Sequence, residues 1–231
     1  MSRFWSRLLQ AAVTVAIPVA LLALSLRITT APWLPRWEYQ KPDFPADPYG
    51  LTKEERIRLA EICVEYLTTR AGIDLLANLE LEGRPAFNER ELRHMVDVKR
   101  VLWRILWAGA GAGVLVLGGG AFLFAHQSFR PYGVAALKGG ALLTLGLLTA
   151  VGGLMLFRWD LFFTGFHELL FPPDTWTFPT SDTLIRLYPE KFWMDVGMVV
   201  AGLVLIQAVL LGALGWALGK RLSPQERAET P

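Results

Sequence analysis

Residues 88–125, NERELRHMVDVKRVLWRILWAGAGAGVLVLGGGAFLFA, decide how this chain is built. The stretch opens on Asn88 with Glu91 three residues later, the pattern of a capped helix start. No breaker intervenes before the glycines at 109, 111 and 113. From residue 101 the sequence is apolar for longer than the roughly 20 residues that cross a bilayer. One helix is therefore expected to begin in water and continue through a membrane. His94, Asp97, Val101 and Arg104 recur on it at spacings of 3 and 4, which keeps them on one face.

The rest of the chain agrees with a membrane setting. Of its 231 residues 53% are hydrophobic, and the mean hydropathy is +0.35. Four spans are expected, at 8–26, 101–125, 133–157 and 194–219. The first follows Arg3 and Arg7, but it is longer than a signal-peptide core and no A-x-A site follows, so it reads as a retained anchor, kinked at Pro18. The N-terminus, the turn carrying Arg130 and Lys138, and the tail 220–231 have a basic excess, which the positive-inside rule puts in the cytoplasm. The long segment 27–100 and the loop 158–193 then face outward. The expected fold is all-α: a four-transmembrane-helix bundle in one membrane domain spanning 1–231. Both termini are cytoplasmic, and a helical extracytoplasmic cap and an aromatic interfacial lid lie outside. The tail beyond Ser223 reads as frayed.

A net charge of +2 with no basic stripe gives no sign of nucleic acid binding. The single cysteine, Cys63, forbids an internal disulfide. Residues 30–49 hold so many prolines and aromatics that an extended interfacial path is expected. Thr52 and Glu55 match a capping box, and Ile57, Ala60, Val64 and Leu67 follow at helical spacing, with Cys63 buried beside them. The loop from 158 is full of aromatics, which suit a headgroup layer better than water. A short helix is expected over 160–171, stopped by Pro172 and Pro173, and a second from Ser181-Asp182. Pro189 suits the first turn of the last span. Within the spans, Gly109 and Gly113, Gly118–Gly120, Gly139, Gly140, Gly215 and Gly219 read as close-packing positions.

Three histidines occur, and topology puts His94 and His167 at the same outer rim. Histidine moves protons near neutral pH. Asp97, one turn from His94, would orient its imidazole, although a solvated helix face explains the same spacing. His167 stands among phenylalanines, where a titratable group is costly unless paired or used. Arg104 and Arg158 flank the rim and would steady an oxyanion or phosphate, or simply snorkel. His126 lies at the opposite end of its span and is given no role. Nothing local activates Cys63 as a nucleophile. His94, Asp97, His167 and Glu168 would also make a mixed zinc shell, without any strengthening motif.

Glu91-Leu-Arg-His94-Met-Val-Asp97-Val-Lys99, Gly165-Phe-His167-Glu168-Leu-Leu-Phe171 and Leu187-Tyr-Pro189-Glu-Lys-Phe192-Trp resemble the lipoprotein intramolecular transacylases (Lit). The likeness extends to chain length, span number and loop sizes. The resemblance implies an acyltransferase of the bacterial cytoplasmic membrane, with its active site at the outer face. It would use no cofactor and no metal. Its substrate would be a lipoprotein whose N-terminal cysteine carries a diacylglyceryl thioether. The sn-2 acyl chain would pass to the α-amino group of that cysteine, giving a lyso-form lipoprotein. His94 and His167 map onto the family's paired histidines, with His167 expected as base and His94, oriented by Asp97, as acid or its partner. An acyl-histidine intermediate is a variant of the same scheme. Arg104, Arg158, Glu168 and Trp176 are the candidate substrate-binding residues. A metal-dependent lipid hydrolase or amidase, and a non-catalytic scaffold that binds lipoprotein or lipid, are the alternatives.

Overall fold

The computed structural model describes residues 3–222. The expected frayed tail, with most of the charges used to orient it, lies outside the described residues. The helices are α1 (Arg3–Thr29), α2 (Trp33–Gln40), α3 (Lys53–Thr68), α4 (Asp74–Ala77), α5 (Glu89–Ala125), α6 (Arg130–Phe157), α7 (Trp159–Leu170), α8 (Thr183–Leu187) and α9 (Glu190–Lys220). Two short strands, β1 (Glu80–Leu81) and β2 (Arg84–Pro85), form a hairpin between α4 and α5. Its two-residue turn puts Glu82 and Gly83 at positive φ (51° and 74°), the handedness that tight hairpins favour. Four helices are long and apolar enough to cross a membrane: α1, α5, α6 (together with the turn before it) and α9. The four expected spans are thus present as helices.

The chain divides into two compact units. One comprises the chain up to Leu26, Ile105–Phe157 and the chain from Val200 on. It is built inside out relative to a soluble bundle. Val114, Leu117, Leu142 and Leu210 point outward, and the helices meet through small residues. A Cβ at Gly109 would run into that of Ala23, and one at Gly140 would run into Ile17. Without a hydrophobic driving force between helices in lipid, such close approach is what holds them together. Gln207 adds a polar tie by donating to Ser25 Oγ (2.8 Å).

The packing role expected of every glycine does not hold. A Cβ at Gly113, Gly118 or Gly120 would meet nothing within 4 Å. Gly109→Ala is accordingly expected to cost about 1–3 kcal/mol through overpacking against a rigid backbone-proximal carbon. Gly113→Ala should be neutral or slightly stabilising through helix propensity. Thermal unfolding in detergent compares the two, and equal melting temperatures would refute the distinction.

The second unit comprises Arg27–Arg104 and Arg158–Val199. Its core joins Leu59, Cys63, Leu76, Phe87, Met95, Leu184 and Leu187. A smaller cluster holds Tyr39, Ala60 and Phe192, and Tyr39 Oη donates to the Leu187 carbonyl (2.8 Å). Both expected capping boxes are present. Glu55 N donates to Thr52 Oγ1, and Thr52 N donates back to Glu55. Glu91 N donates to Asn88 Oδ1, and Asn88 N to Glu91 Oε2.

The extended path expected for residues 30–49 is corrected, since Trp33–Gln40 form helix α2. Pro32 stands just before it and Pro35 lies in its first turn, where backbone N–H groups have no intrahelical partner to lose. Pro42 falls beyond the C-cap Lys41. Cys63 is fully buried, as expected, and burial pushes its thiol up to about 12.

Candidate active site

Both histidines are set by the local rules of their helices. The Asn88 cap starts α5, so His94 falls at its second turn, packed inward beside Met95. Trp159–Leu170 form α7 because an apolar run is closed by Pro172 and Pro173, and His167 lies in its last turn. Their rings stand 6.4 Å apart between centroids, with planes 21° from parallel. An aromatic nest surrounds them. Phe171 lies 4.9 Å and Phe178 5.3 Å from His94, while Phe163 lies 4.1 Å and Trp176 4.9 Å from His167.

One hydrogen bond fixes the chemistry of His167. Its Nδ1 donates to the Phe163 carbonyl at 2.7 Å. A carbonyl can only accept, so the hydrogen is on Nδ1 and the lone pair is on Nε2. Burial lowers the His167 pKa, against the opposing pull of that carbonyl. His94 is only 9% exposed. Burial first, then the neighbouring His167, push it down to about 4, against the attraction of Asp97. Both rings are therefore neutral at pH 7. His94 Nδ1 is buried without a partner, which leaves Nε2 as the nitrogen that can meet a substrate.

Asp97 does not orient His94, contrary to expectation. Its Oδ1 accepts from Arg100 Nη1 at 2.6 Å. Arg100 is a permanent cation one turn further along the helix, and it outcompetes a buried neutral imidazole one turn back. Asp97 touches the pair only through its field. Of the other candidates, Trp176 packs on His167, whereas Arg104, Arg158 and Glu168 are exposed. Among the described residues no three His, Cys, Asp or Glu side chains converge to hold a metal, so the mixed shell of His94, Asp97, His167 and Glu168 is not assembled. Phe163, Phe171 and Phe178 were not singled out from sequence. Each is one aromatic among many there, and no local signal marks the ones that wrap the rings.

Four helices long and apolar enough to cross a membrane, and a pair of neighbouring neutral imidazoles, define a membrane protein with a candidate acid–base centre. Residues 11–193 match the family described as lipoprotein intramolecular transacylase Lit. The chain belongs to that family of membrane acyltransferases, which act on lipoproteins. A protein of Aquifex aeolicus (strain VF5), described as uncharacterized, is 33% identical over 225 residues, or 93% of this chain and 96% of that one. The structure of the membrane integral lipoprotein intramolecular transacylase Lit from Bacillus cereus has the same fold. Its TM-score is 0.80 at 23% identity, covering 95% of this chain and 98% of that one. A structure of the same Bacillus cereus protein with one histidine replaced by alanine matches with a TM-score of 0.71, also at 23% identity, over 94% of this chain and 95% of that one.

Proposed function

We propose that the protein moves the sn-2 acyl chain of a lipoprotein's S-diacylglyceryl cysteine onto the α-amino group of that cysteine, at the outer face of a bacterial cytoplasmic membrane. The observation that carries this reading is the fixed tautomer of His167, which presents a neutral Nε2 lone pair beside a second neutral imidazole. Membership of the transacylase family supplies the substrate class. The outward setting rests on the basic residues Arg3, Arg7, Arg130 and Lys138, which mark the opposite side.

The reaction converts an ester to an amide. The amine nitrogen attacks the ester carbonyl carbon, and His167 Nε2 takes the proton that the amine sheds. The tetrahedral intermediate collapses, the bond from the acyl carbon to the glycerol oxygen breaks, and His167 returns the proton to that oxygen. One amide and one hydroxyl form, with no net gain or loss of protons. His94 serves as the neutral partner. In the Nε2–H tautomer it donates a hydrogen bond toward the developing oxyanion. Nucleophile and ester belong to one molecule, so positioning supplies much of the rate. Cys63, buried and with a raised pKa, offers no competing acyl-thioester route.

The aromatic wall excludes water from a hydrolysable ester. Helix α7 also exposes Leu161, Phe166 and Leu169, which fits a lid resting in the headgroup layer with acyl chains against Trp176. Arg104, Arg158 and Glu168 are left for the polar parts of the substrate.

The test is mass spectrometry of a model lipoprotein's N-terminal peptide after incubation with the protein. The expected product carries one acyl chain on nitrogen at unchanged total mass. Loss of an acyl chain would instead identify a hydrolase, and an unaltered peptide would count against any catalysis on this substrate. Burial holds both histidines below their ordinary pKa, so both are already neutral where the substrate amine loses its proton. The rate should rise with pH as the substrate amine loses its proton, through about pH 8, and level off above.

A further inference from the structure

The segment 172–187 carries Trp176 and Phe178, yet it holds little regular structure before α8. Something other than its own backbone must keep Phe178 in place. Three side chains of two elements converge to do so. Arg90 Nη2 donates to Asp182 Oδ2 at 2.8 Å, and the same guanidinium lies over the Phe178 ring, 5.4 Å from its centroid. Glu91, only 2% exposed, accepts from Leu184 N at 2.7 Å through Oε1, while its other oxygen caps α5 through Asn88 N. Phe178 in turn meets His94 edge-on at 5.3 Å. Arg90 leaves its Nε buried and unpartnered in this arrangement.

We infer that Arg90, Glu91 and Asp182 are positioning residues: they clamp the segment 172–187 onto the first turns of α5 and so hold Phe178 against His94. None of the three touches a reacting atom. Their effect reaches the chemistry through Phe178, which keeps water from one side of His94. Other charged or titratable groups around that ring are few. On its own helix Arg90, Glu91, Arg93 and Asp97 lie within one turn; α7 contributes His167; the clamped segment contributes Asp182, paired with Arg90. Arg90 and Asp182 neutralise each other, so Asp182→Asn leaves a cation and Arg90→Gln an anion near His94. The two residual charges push its pKa in opposite directions, and a rise in both variants reports the entry of water.

The importance of this contact for turnover rests on the proposed acyl transfer, but the clamp can be read without turnover. The probe is diethyl pyrocarbonate, which modifies neutral imidazole, with modification of His94 measured by peptide mass spectrometry from pH 5.5 to 7.5. In the unaltered protein His94 is neutral throughout, so its reactivity, corrected for hydrolysis of the reagent, stays flat across this range. In Asp182→Asn, and independently in Arg90→Gln, water enters and the His94 pKa rises toward its ordinary value near 6.5. Reactivity then rises several-fold at pH 7.5 and falls off on acidification. Asp182→Glu, which keeps the ion pair, should restore the flat profile. Acyl transfer in the first two variants should fall on the order of tenfold in kcat, with KM little changed. A flat His94 profile in folded Asp182→Asn and Arg90→Gln overturns the clamp. If the unaltered protein transfers no acyl chain while the profiles shift as stated, the functional reading fails and the clamp stands.

Discussion

Replacing His167 by alanine is expected to lower acyl transfer by roughly a hundred- to ten-thousand-fold, the usual worth of a positioned general base. The expectation follows from the atom left free. Nδ1 is committed to the Phe163 carbonyl, and Nε2 alone offers a lone pair inside the aromatic nest. An amine attacking an ester becomes a strong acid as it bonds, and without a nearby acceptor the intermediate returns to substrate. A companion variant, His94→Phe, keeps an aromatic ring between Phe171 and Phe178 and removes only the nitrogens. Its rate should fall as well, by about the 10²–10³-fold that one lost oxyanion donor costs. The measurement is the time course of N-acylation of a model lipoprotein by mass spectrometry, with folding checked by thermal unfolding. If both variants convert substrate at the unaltered rate, histidine chemistry is excluded and a scaffold becomes the better reading.

Asp47→Ala should cost about 3–5 kcal/mol of stability, because it strands a buried cation. Arg186 donates from Nη2 to Asp47 Oδ2 at 2.9 Å and from Nε to both carboxylate oxygens at 3.2 and 3.3 Å. The Asp47 side chain is fully buried and that of Arg186 is only 15% exposed. Asp47 Oδ2 also accepts from Leu51 N (2.7 Å), which ties down the loop ahead of α3. Without the carboxylate, the guanidinium retains a long bond to the Tyr49 carbonyl (3.4 Å) and contact with the Tyr49 ring. Removing both partners, as in Asp47→Leu with Arg186→Leu, should recover most of the loss, since no charge is then left buried. Thermal unfolding of the two singles and the double forms a cycle. A single Asp47→Ala loss below about 1 kcal/mol would show that water reaches Arg186 and that the pair is not buried in the sense used here.

Much of this architecture could be read from the chain because it depends on neighbours in sequence. Span length, the caps at Thr52 and Asn88, and the proline stop after α7 are local signals, and each appears as expected. The proximity of His94 and His167 followed from counting crossings. The errors arise where the outcome depends on competition. Pro32 and Pro35 suggested extended chain, but prolines at a helix start cost nothing there. Asp97 had a histidine three residues before it and an arginine three residues after, and spacing does not rank them. The permanent charge prevailed. Arg90, Glu91 and Asp182 act at a distance of some 92 positions in sequence, and no periodicity links them. The Phe163 carbonyl that sets the tautomer of His167 is a backbone atom, invisible to any motif.

Cys63 has a practical consequence that its burial makes possible. Its thiol is shut inside the second unit and pushed far from the reactive thiolate range. Maleimides should therefore leave the unaltered protein unlabelled in intact cells, and no cysteine-free background need be engineered. A cysteine placed near Arg3 or in the loop around Thr175 would then be the sole label acceptor. Whether it reacts with a membrane-impermeant reagent reports the side of the membrane on which it stands.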